Sequence, residues 1–311
     1  MWVRPLRAGI GISQAGFGCA KGGTIGCFVE DVASGKIMLL SNMHVLQYFQ
    51  AAPKLGILPW TPQSQRDIVQ PDTSELLVGI YDKFKTRPGM SNEEAYAAVW
   101  QADHPILPNE PLKPAPSRAE AREYYEKKAG EALAVMIKAC TIATYERGVL
   151  ETDFDAAVAT LKPGTPWSNM TPDNTTILAP PPAIAPSNGV WKYGDASGVK
   201  KFANAVLSTA NQNVPFKTYT QESGSVGQRT AGFNRVPITF RAGQVWEVTG
   251  IGGGTFQVQG DSGSALCDAN NHLVALMSTG GLGAVAYAIP IDVVFQRLNV
   301  RFPAAAAGVA G

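Results

Sequence analysis

The stretch FQVQGDSGSAL, Phe256 to Leu266, sets a run of small and acidic residues, GDSGS, between two apolar flanks. Glycine and serine are the usual punctuation of a hairpin, so a tight turn between strands is the plain reading. The alternative is a turn that presents a serine nucleophile. Which of the two holds depends on what the rest of the chain supplies.

The chain supplies enough residues for a sizeable core: 311, of which 45% are hydrophobic and 16% charged. That balance excludes a disordered chain. The net charge of +1, with Lys and Arg scattered, argues against a nucleic-acid groove or a polybasic membrane patch. The opening MWVRPLRAGIGISQ holds no apolar run of signal-peptide length, and no window is apolar for long enough to span a bilayer. Cys19, Cys27, Cys140 and Cys267 show no CxxC pairing, and free thiols in a reducing, cytoplasmic compartment are expected. In that compartment the sequons at Asn169 and Asn174 carry no weight.

Three textures alternate along the chain. From about 22 to 58 and from about 236 to 298 come short β-type runs such as GTIGCFVEDV, KIMLLSNMHVL, VWEVTGI, LVALMST and AVAYAIPI, broken by Gly, Asn, Asp and Ser. EDVASGK and CDANNHL read as hairpin turns. Between them lies a proline-rich connector, PILPNEPLKPAPS, followed by a helical pattern that Ser117 and Glu120 open with capping-box spacing. Leu133, Met136, Ile137 and Cys140 form its apolar face, and Gly148 is expected to end it. VLETDFDAAVATL returns to strand character, and SGVKKFANAVLSTANQ reads as a shorter helix with Val199, Phe202, Ala203 and Val206 on one face. The tail AAAAGVAG is expected to be flexible.

An activated serine needs a general base within hydrogen-bond reach, most often histidine. The chain has three. His104 sits in a polar connector and His272 in a hairpin tip, so both read as surface residues. His44, in LLSNMHVL, stands where an apolar strand runs into a polar turn and resumes. That suits a base, although a lone histidine there is more often a hydrogen-bonded core residue.

LLSNMHVL, DFDAAVATL and QGDSGSAL occur together and in the order His, Asp, Ser. In these motifs and this order the chain resembles the chymotrypsin-like (trypsin-like) serine peptidases, and within them bacterial members with a GTIGC-like strand and an LSNxHVL-like histidine box. The resemblance covers about 22–58, 149–162 and 222–298. It implies an all-β core of two barrels with α-helical insertions. The first barrel would span about 1–165 with an insertion at 105–148, and the second about 166–303 with an insertion at 187–212; 304–311 would be a tail. It also implies a serine endopeptidase in which Ser262 attacks, His44 is the base, and Asp155 orients the imidazole. Asp153, two residues earlier on the same strand, would face the same way, but Asp155 directly precedes the apolar run. The N–H groups of Gly260 and Ser262 would form the oxyanion hole. Asp261 would point away and brace the loop.

By the same resemblance Phe256, Ser278, Thr279, Gly280 and Val285 would line the substrate pocket. A phenylalanine where trypsin-type members carry an acid predicts small or medium uncharged residues at the cleaved position. No IVGG-type activation site and no family disulfides are present, and Cys27 and Cys267 read as core residues. His44 and Asp155 are 111 residues apart, much of it the helical insertion, which reads either as packing or as a lid or docking surface. TGIGGGTF lacks a phosphate-loop pattern, and SGSVGQRTAG resembles a scaffold strand of the bacterial relatives. No cofactor and no metal are expected, since no His, Cys and carboxylate set has zinc spacing. The partners expected are a protein or peptide substrate and, on a second reading, a regulatory protein that relieves the insertion. On a third reading the chain is a binding or scaffold protein with its triad covered.

Overall fold

The computed structural model describes residues 5–14, 22–46, 67–71, 76, 85, 89–103, 116–220, 232–252, 254–280, 285–304 and 307–308. His104, Cys19 and nearly all of SGSVGQRTAG lie outside them. The early strands are β1 Leu6–Arg7, β2 Gly11–Gln14, β3 Gly23–Thr24, β4 Cys27–Asp31, β5 Ile37–Ser41, β6 Asp67–Val69, β7 Thr141–Glu151, β8 Phe154–Leu161 and β9 Trp167–Ser168. The later ones are β10 Asn188–Tyr193, β11 Lys200–Leu207, β12 Gln212–Thr220, β13 Gly232–Phe240, β14 Trp246–Gly250, β15 Ala265–Cys267, β16 Leu273–Gly280, β17 Val285–Pro290, β18 Val300–Arg301 and β19 Ala307–Gly308. The helices are α1 Met43–Leu46, α2 Asn92–Asp103, α3 Arg118–Cys140 and α4 Ile291–Leu298.

The expected all-β core is present as two units. The first is an eight-stranded sheet in the order β18-β4-β5-β8-β7-β6-β2-β3, a half-barrel; the second is a closed barrel, β10-β11-β14-β17-β16-β15. Each has its own apolar interior, Ile12, Ile25, Phe28 and Leu39 in the first and Val190, Trp246, Val248 and Met277 in the second. A third cluster joins the two, with Cys27, Val29 and Leu40 meeting Trp191, Cys267 and Leu276 while Val294 and Leu298 of α4 close it. A buried interface of this kind fixes one unit against the other, because separating them would return all of that apolar surface to water. The predicted hairpins hold: Gly35 N–H donates to Asp31 O in the β4–β5 turn, and Asn271, at φ 69°, turns the β15–β16 hairpin.

Cys27, Cys140 and Cys267 are free and buried. Asn169 is buried too, its side chain bonded to both N–H and C=O of Phe28, so its sequon is spent on packing.

Three expectations are corrected. The helix that Ser117 opens does carry the capping box with Glu120, but it stops at Cys140. Thr141 Oγ1 caps Ile137 O there, and the β-branched and aromatic run Thr141-Ile-Ala-Thr-Tyr pairs as β7 instead. Gly148 is therefore interior to a strand: a Cβ on it would stand 2.3 Å from Ala157 Cβ and 2.8 Å from Met43 Sδ. Of the predicted apolar face, Ile137 and Cys140 are buried with Val69 and Leu76, and Met136 packs beside them.

The second helix does not form. Lys200–Leu207 of that stretch are β11, which alternates with period two: Ala203 and Ala205 face the barrel interior while Phe202 and Val206 stand 53% and 52% exposed. Spacings of three and four suggested one helical face, but strand pairing with β10 and β14 separates those side chains onto opposite faces. The tail, finally, is not wholly free, because Ala307–Gly308 pairs antiparallel with β9.

One helix was overlooked. Ser91 and Glu94 cap α2 reciprocally, a signal present in SNEE. Its Tyr96 and Trp100 meet Tyr125 and Tyr124 of α3, with ring centroids 4.7 and 5.1 Å apart.

Candidate active site

β5 is paired on both sides, with β4 and with β8, and ends at Ser41. Asn42 O then accepts from the N–H groups of Val45 and Leu46, which bends the chain into the single turn of α1. His44 therefore sits on a helical turn above the start of β8, not in a strand. That turn delivers the imidazole to Asp155, with Nδ1 2.6 Å from Oδ2. His44 backbone N–H also donates to Oδ1 at 3.2 Å, and Ser278 Oγ donates to Oδ2 at 2.7 Å. Asp155 is fully buried whereas the His44 side chain is 19% exposed, so the pair has a closed end and an open one.

Asp153 is elsewhere. It occupies the β7–β8 turn at φ 62°, which breaks the strand alternation and sends its carboxylate to Arg241, whose N–H and Nε both lie 2.5 Å away. The expectation that it shares a face with Asp155 fails for that reason.

The GDSGS segment is a turn held at both ends. Asp261 N–H donates to Val258 O and Ser264 N–H to Asp261 O, while Gly263 N–H to Met277 O and Met277 N–H to Ser264 O stitch it to β16. The N–H groups of Gly260 and Ser262 have no acceptor among the described residues. Gly263, at φ +89°, passes so close to β5 that a Cβ would stand 2.0 Å from Ser41 Oγ. β3 lies between this turn and α1. Thr24 N–H donates to Ser262 O at 2.8 Å and Thr24 Oγ1 to Gly260 O at 2.8 Å. A Cβ on Gly23 would meet Val45 Cγ2 at 2.3 Å on one side and Ser262 O at 2.7 Å on the other. Ser262 and the residue that follows His44 are thus separated by little more than one glycine.

Asp261 turns away from this face. Its carboxylate accepts from Lys192 Nζ at 2.5 Å, from Ser197 N–H at 2.9 Å, from Val258 N–H at 3.2 Å and from Ser197 Oγ. Burial alone would raise its pKa; the charge of Lys192 and the hydrogen bonds outweigh that and hold it below the ordinary carboxylate range. Lys192 escaped the sequence reading. The signal was there, a lysine between Trp191 and Tyr193 in a strand whose neighbours are apolar.

The residues expected in the pocket have different surroundings. Phe256 is a core residue of the second barrel, with Lys192 Nζ 5.2 Å from its ring centroid. Ser278 is fully buried and its hydroxyl is committed to Asp155. Thr279 is half-buried and Gly280 exposed, and Val285 packs beside Phe240 and Tyr287. Gln257, which the sequence did not single out, lies against β16: its Nε2 donates to Ser278 O at 3.3 Å, and Gly280 faces it. His272 is in the β15–β16 hairpin, 3.2 Å from Asp268. Among the described residues no group of three His, Cys, Asp or Glu is placed to hold a metal. No helix among them is long and apolar enough to cross a membrane.

No family model and no curated protein matches the chain. The solved structures that it resembles are chymotrypsin-like serine proteases. Thermobifida fusca protease A and the Nocardiopsis protease each align at 10% identity and TM-score 0.45, over 95% of this chain and 97% of theirs. A protease described as glutamic acid specific aligns at 11% identity and TM-score 0.45, over 96% of this chain and 100% of its own. At such identities the chemistry has to be read from the site itself.

Proposed function

We propose that the protein is a serine endopeptidase that cleaves protein or peptide substrates through an acyl-enzyme. The observation that carries the reading is the His44–Asp155 pair at 2.6 Å, with the Ser262 turn packed across Gly23 from the same helical turn. With Nδ1 donating to Asp155, Nε2 is the basic nitrogen of His44. It takes the Ser262 hydroxyl proton as Oγ attacks the substrate carbonyl carbon. Negative charge then develops on the carbonyl oxygen, and the N–H groups of Gly260 and Ser262 are the donors free to meet it. His44 returns the proton to the leaving amine, and water releases the acyl group by the same steps in reverse. Asp155 keeps the imidazole in the required tautomer and stabilises its charged form. The reaction needs no cofactor.

The test is labelling by a fluorophosphonate probe. Wild type is expected to label at a serine, and Ser262→Ala and His44→Ala to lose turnover by about 10^6-fold, as removal of either member of such a couple does. A folded wild type that does not label would overturn the reading.

A further inference from the structure

Among the described residues, two buried side-chain polar atoms have no hydrogen-bond partner: Asn42 Oδ1 and Gln257 Oε1. Orphaned buried acceptors cost stability, so each calls for an explanation. Both belong to carboxamides whose nitrogen is engaged. Asn42 Nδ2 donates to the main-chain oxygen of Asp155 at 2.8 Å, and Gln257 Nε2 to that of Ser278 at 3.3 Å. Neither amide can be turned over to relieve its oxygen, because that would set oxygen against oxygen. The two carbonyls so held are not arbitrary. They belong to the two residues whose side chains meet at 2.7 Å, Ser278 Oγ on Asp155 Oδ2.

The connectivity gives the pattern a purpose. Asn42 is on the segment that carries His44, and it holds the backbone of the strand that carries Asp155. Gln257 is on the segment that carries Ser262, and it holds the backbone of β16. The Asp155–Ser278 bond then joins the two halves, one from each β unit. Resting on the peptidase reading above, we propose that Asn42 and Gln257 are positioning residues. They fix Asp155 and Ser278 by the main chain, so that His44 and Ser262 are aligned before substrate binds. The orphaned oxygens are the stability given up for that alignment.

The test uses Asn42→Leu and Gln257→Met, which remove the tie and the orphaned oxygen together at similar volume. Each variant is inactivated with a fluorophosphonate probe, separating the chemical rate constant kinact from the binding constant KI, and its Tm is measured. Expected is a fall in kinact of about 10- to 100-fold, the cost of a small misplacement of reacting groups, with KI within about twofold. Tm should change little, since one orphaned acceptor goes while the main-chain oxygen that the amide served loses a donor. A kinact within about twofold of wild type would overturn the proposal, as would kinact and Tm falling together, which marks a merely structural role. Should Asn42→Leu fail to fold, Gln257→Met, in the other β unit, decides alone. A folded wild type that does not label overturns the peptidase reading and this inference with it. A labelled wild type matched in rate by both variants overturns this inference only.

Discussion

Lys192 Nζ lies 2.5 Å from Asp261 Oδ2, and neither side chain has any solvent exposure. The bond joins β10 to the residue before Ser262, across 69 positions of sequence. A charge so placed is tolerated only while its partner is present. Lys192→Met is expected to lose about 3–5 kcal/mol, the usual cost of leaving one member of a buried pair alone. Urea denaturation at neutral pH measures it. The double variant Lys192→Met with Asp261→Leu should recover part of that loss, because no uncompensated charge remains.

The same pair predicts an acid dependence. The folded-state pKa of Asp261 is below the ordinary 3.8, so its stabilisation is fully present above that value and is lost as pH falls through the lower folded value. Asp261→Asn should therefore differ most from wild type in unfolding free energy near neutral pH, and the gap should close in strong acid. A gap that is constant with pH would contradict the sign.

Gly23 and Gly263 set the distance between the halves of the site. Gly263→Ala combines a φ of +89° with a Cβ 2.0 Å from Ser41 Oγ, and its cost to stability is expected to be about 3 kcal/mol or more. Gly23→Ala places its methyl between Val45 and Ser262 O. Its predicted signature is loss of fluorophosphonate labelling larger than its loss of Tm, since what it separates is α1 from the Ser262 turn. Measuring both on the same preparation checks this.

Ser278→Ala removes one donor from the buried carboxylate of Asp155. Hydrogen bonds to charged groups contribute about 1.5–3 kcal/mol, so turnover should fall by about tenfold or more while the fold is retained. Unchanged turnover would mean that Oδ2 is served by His44 alone.

The thiols of Cys27 and Cys267 are fully buried, and burial pushes both well above the ordinary thiol range. Neither is expected to react with an aromatic disulfide reagent in the native state, and both should react once the protein is unfolded in urea. Mass mapping of the modified peptides gives the answer.

Much of the site could be read along the chain because its determinants are local. His44 and Ser262 each lie in a short motif whose turn is closed by neighbours within a few residues, as Asn42 O closes α1 and Val258 O closes the Ser262 turn. The β runs were legible for the same reason, since alternation and turn residues act over short distances. The errors arose where a local pattern was ambiguous. Val199, Phe202, Ala203 and Val206 fit a helical period, and only pairing with β10 and β14 made the last three part of a strand. The α3 helix ended early because β7 found a partner in β8, not because Gly148 stopped it.

The order His, Asp, Ser could be read directly along the chain, and so could the two β-rich halves, the capped helix and the turns, which follow from side chains acting on their own backbone. Contacts between distant strands bring Asp155 and not Asp153 to His44, commit the Ser278 hydroxyl to that carboxylate, and set a lysine on β10 against Asp261. Those choices depend on which buried group finds a partner, and burial is a property of strands brought together from distant parts of the chain.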